Sequence, residues 1–226
     1  MQELRAHFDA LVFDLDGTLV ETAPDLEAAL NHTLAAHGYP TVPSADVRPM
    51  IGDGALAMLR RGLAASGIEL DEAAMRPLFD AYFDYYLDNV ANQSQPFPGL
   101  LAQLDAARAA GFKLGVCTNK AIGFTEKLLD LLDLAKYFDA VLGGDSLPVR
   151  KPDPEHLLAT LRQMDCAPDR AVMLGDSNND VQAARNAGVK VVLVSFGYTA
   201  IPVAELDRDV LMDHFDELPA ALATLA

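Results

Sequence analysis

Ala10-Leu11-Val12-Phe13-Asp14-Leu15-Asp16-Gly17-Thr18 is a short apolar run that breaks off in two carboxylates, a glycine and a hydroxyl. The run is long enough for one buried parallel strand. Asp14 follows Phe13 directly, so its side chain starts at the carboxyl edge of a sheet, where open α/β folds bind ligands. Asp and Gly are also ordinary turn residues, so this stretch alone is compatible with a solvated turn. Two acids leaving one strand tip together call for something cationic between them.

Downstream of Thr18 the pattern turns helical. Thr22 reads as a cap and Pro24 as a first-turn residue, and Leu26, Ala29, Leu30, Thr33 and Leu34 recur at helical spacing. Ser44 reads as the cap of a short segment, Gly52-Asp53-Gly54 introduces another helix, and a longer one runs from about Asp71 to Asn89. Residues 21–95 therefore read as a helical insertion, closed by a linker-like Gln93-Ser94-Gln95-Pro96-Phe97-Pro98-Gly99. Beyond it, strands at 113–118, 140–143, 171–175, 191–195 and near Val210 alternate with helices at 100–110, 122–132, 155–164, 181–187 and from Glu217. Such alternation predicts a doubly wound α/β domain with a parallel sheet, formed by residues 1–20 and 96–226. The insertion leaves from the tip that carries Asp14 and Asp16, so it reads as a cap over that edge.

At 226 residues and 51% apolar composition the chain can bury a sizeable core. Its 33 acidic and 17 basic residues give a formal charge of -16, which argues against nucleic-acid or anionic-membrane partners. An anionic substrate would need local attraction, from a metal ion, a few cations and helix N-termini. With no signal-like or membrane-spanning stretch, the expectation is a cytoplasmic protein. Cys117 and Cys166 are too few for a disulfide framework, and five scattered histidines argue against zinc.

Four predicted strand ends terminate in polar groups: Asp14 and Asp16; Thr118-Asn119-Lys120; Arg150-Lys151-Pro152-Asp153; and Gly175-Asp176-Ser177-Asn178-Asn179-Asp180. Taken singly, Thr118-Asn119 is a helix cap and Lys151 a solvated lysine. Taken in order, each after a strand, they make one site. The carboxylates suit Mg2+, Thr118 and Asn119 offer oxyanion donors, and Lys151 supplies a compact charge, a set suited to phosphoryl transfer.

These motifs resemble the haloacid dehalogenase superfamily: D-x-D-G-T at Asp14 to Thr18, a threonine motif at Thr118, Lys151-Pro152, and G-D-x-x-x-D from Gly175 to Asp180. The resemblance covers essentially the whole chain, and the insertion after the first motif is similar to the type C1 cap. It implies a Rossmann-like core. It also implies that Asp14 is the nucleophile that becomes an aspartyl-phosphate and that Asp16 is the acid/base. Thr118, Asn119 and Lys151 would hold the phosphoryl group. Asp14, Asp176 and the Asp16 backbone carbonyl would ligate Mg2+, with Asp180 supporting that shell.

Within that family, Asp16 argues against a dehalogenase, the absence of lysine from 21–94 argues against Schiff-base phosphonate chemistry, and Leu26 stands where sugar phosphomutases carry a histidine. A phosphatase of a small anionic phosphomonoester remains. Residues 20–26, 47–55, 143–147 and 196–198 resemble the bacterial phosphoglycolate phosphatase branch. A substrate carboxylate would then meet Arg48 or the amides at Gly52 to Gly54, although Arg48 reads equally well as a surface ion pair. The alternatives are a broad phosphatase of sugar phosphates, nucleotides or pyrophosphate, and, in another class, a phosphoacceptor signalling or binding module. The expected assembly is a monomer or a homodimer, and the aromatic face at Tyr82, Phe83 and Tyr86 reads as core packing or as support for a dimer.

Overall fold

The structure, a computed structural model, describes all 226 residues. In chain order the elements are β1 (Ala10–Phe13), β2 (Val20–Glu21), α1 (Ala23–Ala36), α2 (Ser44–Val47), α3 (Ala55–Ala64), α4 (Glu72–Asn89) and β3 (Gln95–Pro96). They continue with α5 (Leu100–Ala109), β4 (Lys113–Cys117), α6 (Ile122–Leu131), β5 (Ala140–Leu142), α7 (Pro154–Gln163) and β6 (Ala171–Gly175). The last are α8 (Asn178–Ala187), β7 (Lys190–Val194), β8 (Val210–Met212) and α9 (Leu218–Leu225).

Six strands form one parallel sheet in the order β5-β4-β1-β6-β7-β8. The chain builds one side from β1 through β4 to β5, then crosses back to place β6, β7 and β8 on the other side. β1 is therefore central, with Ala10 in register with both Lys113 and Ala171. A strand flanked on both sides and covered on both faces has no solvated face, which is why all four of its residues are apolar and buried. Successive residues still point to opposite layers. Leu11 and Phe13 join Leu114, Val116 and Leu174 in a large core that includes α5, α6 and α9. Ala10 and Val12 join Met173, Leu193, Leu157 and Val181 in a smaller core under α7 and α8.

The helical insertion of α1 to α4 sits between β1 and β3 in sequence, and its Leu30, Leu59, Leu63 and Tyr82 belong to the same large core as the sheet. The two crossings into and out of it are not free linkers. Val20 pairs with Pro96 and Glu21 with Gln95, antiparallel. Asp25, 2% exposed, clasps the return crossing by accepting from the Gln93 and Ser94 amides and the Ser94 hydroxyl. Two expected caps are corrected. The Thr22 hydroxyl donates to Asp16 at 2.7 Å instead of capping α1. The Ser44 hydroxyl donates to Glu27, and Pro43 holds the cap position of α2. α8 also begins earlier than its apolar pattern suggests, because Ser177 and Asp180 form a capping box. No helix is long and apolar enough to cross a membrane.

Candidate active site

The polar ends of β1, β4 and β6, with the loop after β5, meet at one sheet edge. The Asp14 amide donates to Leu174 O at 2.9 Å, which continues the β1 ladder and fixes where the carboxylate leaves the sheet. Gly17, at φ 80°, then turns the chain sharply, and a Cβ there would stand 2.4 Å from Asp176 Oδ2. A side chain at 17 would thus disturb both the turn and the neighbouring carboxylate.

Asp14 is 7% exposed and its Oδ1 accepts from the Leu15 amide at 2.7 Å and from Lys151 Nζ at 2.9 Å. Lys151 Nζ also lies 2.6 Å from Asp180 Oδ1. Burial pushes the Asp14 carboxyl up to about 6 against the opposing pull of Lys151, with Asp180 adding to the rise. Burial, then Asp180 and Asp14, push Asp176 well above the ordinary carboxylate range. Burial disfavours the charge of Lys151, but Asp14 and Asp180 together outweigh it and hold its pKa above normal. Cys117, beneath the site, is pushed up to about 12 by burial, so it stays a thiol and no nucleophile.

Three buried carboxylates against one ammonium leave excess negative charge, and this favours a cation. Ligand atoms of Asp14, Asp176 and Asp180 lie within 4.8 Å of one another. Asp180 is already engaged, because its Oδ2 accepts from the amides of Asp176 and Ser177 and from the Ser177 hydroxyl. Asp176 Oδ2 accepts from the Tyr198 amide at 2.6 Å. Asp14 Oδ2 and Asp176 Oδ1 are thereby left for a metal, while Asp180 props Lys151 and the Asp176 loop. This all-oxygen set fits a small, hard divalent ion.

The Asp16 carboxylate is not part of that cluster. It faces Lys120, whose Nζ lies 3.0 and 3.2 Å from its two oxygens, and Thr22. Lys120 also donates to the Tyr86 hydroxyl at 2.7 Å, which ties α4 to the β4 loop. The expectation that Asp16 meets the metal through its backbone carbonyl thus leaves its side chain to Lys120 and Thr22. Thr118 and Asn119 are buried beside Asp14, and Asn119 Nδ2 donates to the carbonyls of Gly52 and Lys151, both at 3.0 Å. Its Oδ1 finds no donor.

Between this edge and the helical insertion lies a cavity of about 260 Å3, with Asp14, Asp16, Thr118 and Asn119 at one end. Leu26, Ile51, Met58, Phe79, Tyr82 and Phe124 form its apolar wall. Gly52 lines it, and its carbonyl accepts from Asn119 Nδ2. Arg48 does not line it. Its guanidinium pairs with Glu21 at 2.8 Å and covers the Tyr198 ring at 5.2 Å, so the surface ion-pair reading of Arg48 is the one the structure shows.

Residues 11–194 match the family model described as haloacid dehalogenase-like hydrolase. The chain belongs to the haloacid dehalogenase-like hydrolases. This hydrolase is 48% identical over 215 residues to a phosphoglycolate phosphatase of Caulobacter vibrioides, covering 95% of this chain and 91% of that one. It is 44% identical to the phosphoglycolate phosphatase of Agrobacterium fabrum, covering 93% and 91%. Among solved structures, a predicted phosphoglycolate phosphatase from Haemophilus somnus 129PT superposes with a TM-score of 0.89 at 32% identity, covering 95% of this chain and 97% of that one.

The roles of two contributors to the site of this hydrolase escaped the sequence reading. Lys120 stands beside two recognised donors, but its pairing with Asp16 needs the fold. Tyr198 caps α1 from 176 residues away: its hydroxyl accepts from the Thr22 amide at 2.7 Å and donates to Glu21 at 2.6 Å. The quoted triplet Phe196-Gly197-Tyr198 was the available signal, but it carried no assigned role.

Proposed function

We propose that this hydrolase is a Mg2+-dependent, cytoplasmic phosphomonoesterase whose substrate is 2-phosphoglycolate, converted to glycolate and phosphate. The observation that carries the reading is the buried Asp14–Lys151 pair, with Asp14 and Asp16 together lining a small cavity. The names of the relatives support the substrate.

In this reading residues 21–95 are a cap over a core of 1–20 and 96–226. Lys151, Thr118 and Asn119 orient the phosphoryl group in line with Asp14. Asp14 and Asp176, with the Asp16 backbone carbonyl, would hold Mg2+, which supplies charge neutralisation to the phosphoryl oxygens when bound. A carboxylate oxygen of Asp14 attacks phosphorus while Asp16 gives its proton to the departing glycolate oxygen. The proton-depleted Asp16 then takes a proton from water, whose oxygen attacks the aspartyl-phosphate. Phosphate leaves and Asp14 is regenerated, so one water is consumed per ester cleaved. Lys120 and Thr22 hold the Asp16 carboxylate at the cavity wall.

Phosphate release from a panel of phosphomonoesters at equal concentration, with Mg2+ and with chelator, tests the reading. Strong preference for 2-phosphoglycolate that chelator removes supports it. Broad turnover, which the apolar wall of the cavity would favour, keeps the mechanism and replaces the substrate. A stable phospho-Asp14 without turnover would point to a phosphoacceptor module.

A further inference from the structure

An anionic ester approaching this site meets a protein of formal charge -16, and the cavity wall itself carries Asp14, Asp16 and Asp145. Attraction has to come from a cation in the wall. Lys120 and Arg150 are the two there. Lys120 is committed to both oxygens of Asp16 and to Tyr86. Arg150 forms no ion pair and no side-chain hydrogen bond in the chain, and it is solvent-exposed. The carboxylate it influences electrostatically, Asp53, is already held by Arg61 and by Asn179 at 2.7 Å.

Gly54 stands next to the Arg150 guanidinium. Gly54, at φ 83°, has no side chain where a Cβ would stand 3.3 Å from Arg150 Nη1 and 3.4 Å from Asn119 O. Any other residue would be strained there and would crowd the guanidinium. Arg150 also immediately precedes Lys151, whose ammonium touches Asp14. The two cations are therefore set on one loop, one free towards the cavity and one buried against the nucleophile.

We propose that Arg150 is the specificity-determining residue of the site: its guanidinium takes the second anionic group of the substrate, a carboxylate, while Lys151 serves the phosphoryl end. The inference rests on the reading of the substrate as a small carboxylate-bearing phosphomonoester and names the residue that selects it. A guanidinium presents paired N–H donors that match a carboxylate. Because Arg150 belongs to the sheet-edge loop and not to the helical insertion, its distance from Asp14 does not depend on how the insertion is placed.

The test compares kcat/KM for 2-phosphoglycolate and 2-hydroxyethyl phosphate, which differ by a carboxylate against a hydroxymethyl group, in wild type, Arg150→Ala, Arg150→Lys and Arg48→Ala. The acid-to-neutral ratio is expected to fall about 10- to 100-fold in Arg150→Ala, the range of one charged hydrogen-bonded contact. The loss should lie mainly in KM, Arg150→Lys should recover part of it, and Arg48→Ala should leave the ratio within about threefold of wild type, as expected for an exposed pair outside the cavity. An unchanged ratio in Arg150→Ala, or an equal fall in Arg48→Ala, overturns the assignment. If wild type prefers 3-phosphoglycerate to 2-phosphoglycolate, the substrate reading fails, while an Arg150-dependent ratio for that acid still upholds the assignment. Wild-type indifference to the charge of the tail overturns both.

Discussion

Lys151 holds its ammonium 2.9 Å from Asp14 Oδ1, with only 1% of the lysine side chain and 10% of the aspartate side chain exposed to solvent. The contact joins the loop after β5 to the tip of β1, and Asp180 at 2.6 Å completes it from α8. One buried cation from the β5 side thus organises the carboxylate at the tip of the central strand and the one on α8 after β6.

Removing that cation leaves two buried carboxylates without compensation. Lys151→Met is expected to lower unfolding free energy by about 3–5 kcal/mol and to abolish turnover. Asp14→Asn keeps a neutral isostere beside the lysine, so it should abolish turnover while its circular dichroism and denaturant midpoint stay close to wild type. Wild-type turnover in Asp14→Asn would falsify the nucleophile assignment.

Asp25 is the clasp of the helical insertion. Asp25→Ala strands the buried amide and hydroxyl of Ser94 and the less buried amide of Gln93. A loss of about 2–4 kcal/mol is expected from urea denaturation. Limited proteolysis should cut near residue 93 before it cuts the sheet; unchanged stability and cleavage pattern would show that the β2–β3 pairing alone holds the crossing.

Metal uptake should expel protons. The carboxyl of Asp14 is pushed up to about 6 and that of Asp176 is raised well above its ordinary value, both by burial first, so Asp14 is partly protonated near pH 6 and Asp176 holds its proton more firmly than a free carboxyl when no cation is bound. Binding of Mg2+ requires the ionised forms and releases those protons. Titration calorimetry at pH 6 in buffers of different ionisation enthalpy should report net proton release, reduced in Asp176→Asn. Uptake of protons, or no buffer dependence, would contradict the burial-driven rise.

His156 on α7 is fully buried, and neither ring nitrogen has a partner of good hydrogen-bond geometry. Burial, reinforced by Lys151, pushes its pKa down from 6.5 to about 4, the Gly143 backbone and Asp153 opposing weakly. The native state therefore disfavours the proton that the unfolded chain accepts. Above pH 6.5 the ring is neutral in both states, and there is no penalty. As pH falls from 6.5 towards 4 the unfolded chain gains the proton first, so stability drops. His156→Leu should remove this component, and the difference in urea midpoint between pH 7.5 and pH 5 should shrink relative to wild type.

Much of the site was legible because its parts are local. The Ala10 to Thr18 stretch carries strand, acids and turn within nine residues, and each later motif sits at the end of its own apolar run. Strand and helix positions followed from patterning alone, with ends displaced by one to three residues where polar caps, such as Ser177 with Asp180, decide the boundary. The Gln95–Pro96 pairing was missed because a two-residue strand has no periodicity to read.

The cation assignments show the limit most clearly. Arg48 and Arg150 are both arginines beside polar, glycine-containing loops, and although Arg150 adjoins Lys151, their neighbours along the chain do not say which guanidinium is paired. In the folded molecule Glu21 and the Tyr198 ring occupy Arg48, whereas Arg150 faces the cavity unpaired. Lys120 likewise needed Tyr86 and Asp16, 34 and 104 residues away, to acquire its place. The sequence by itself determined the sheet and the insertion point and singled out Asp14, Asp16, Thr118, Lys151 and Asp176 as candidates, because backbone periodicity and turn chemistry act over a few residues. Tertiary structure alone decided which charges are spent on one another and which stay free, because pairing depends on distances between segments remote in the chain.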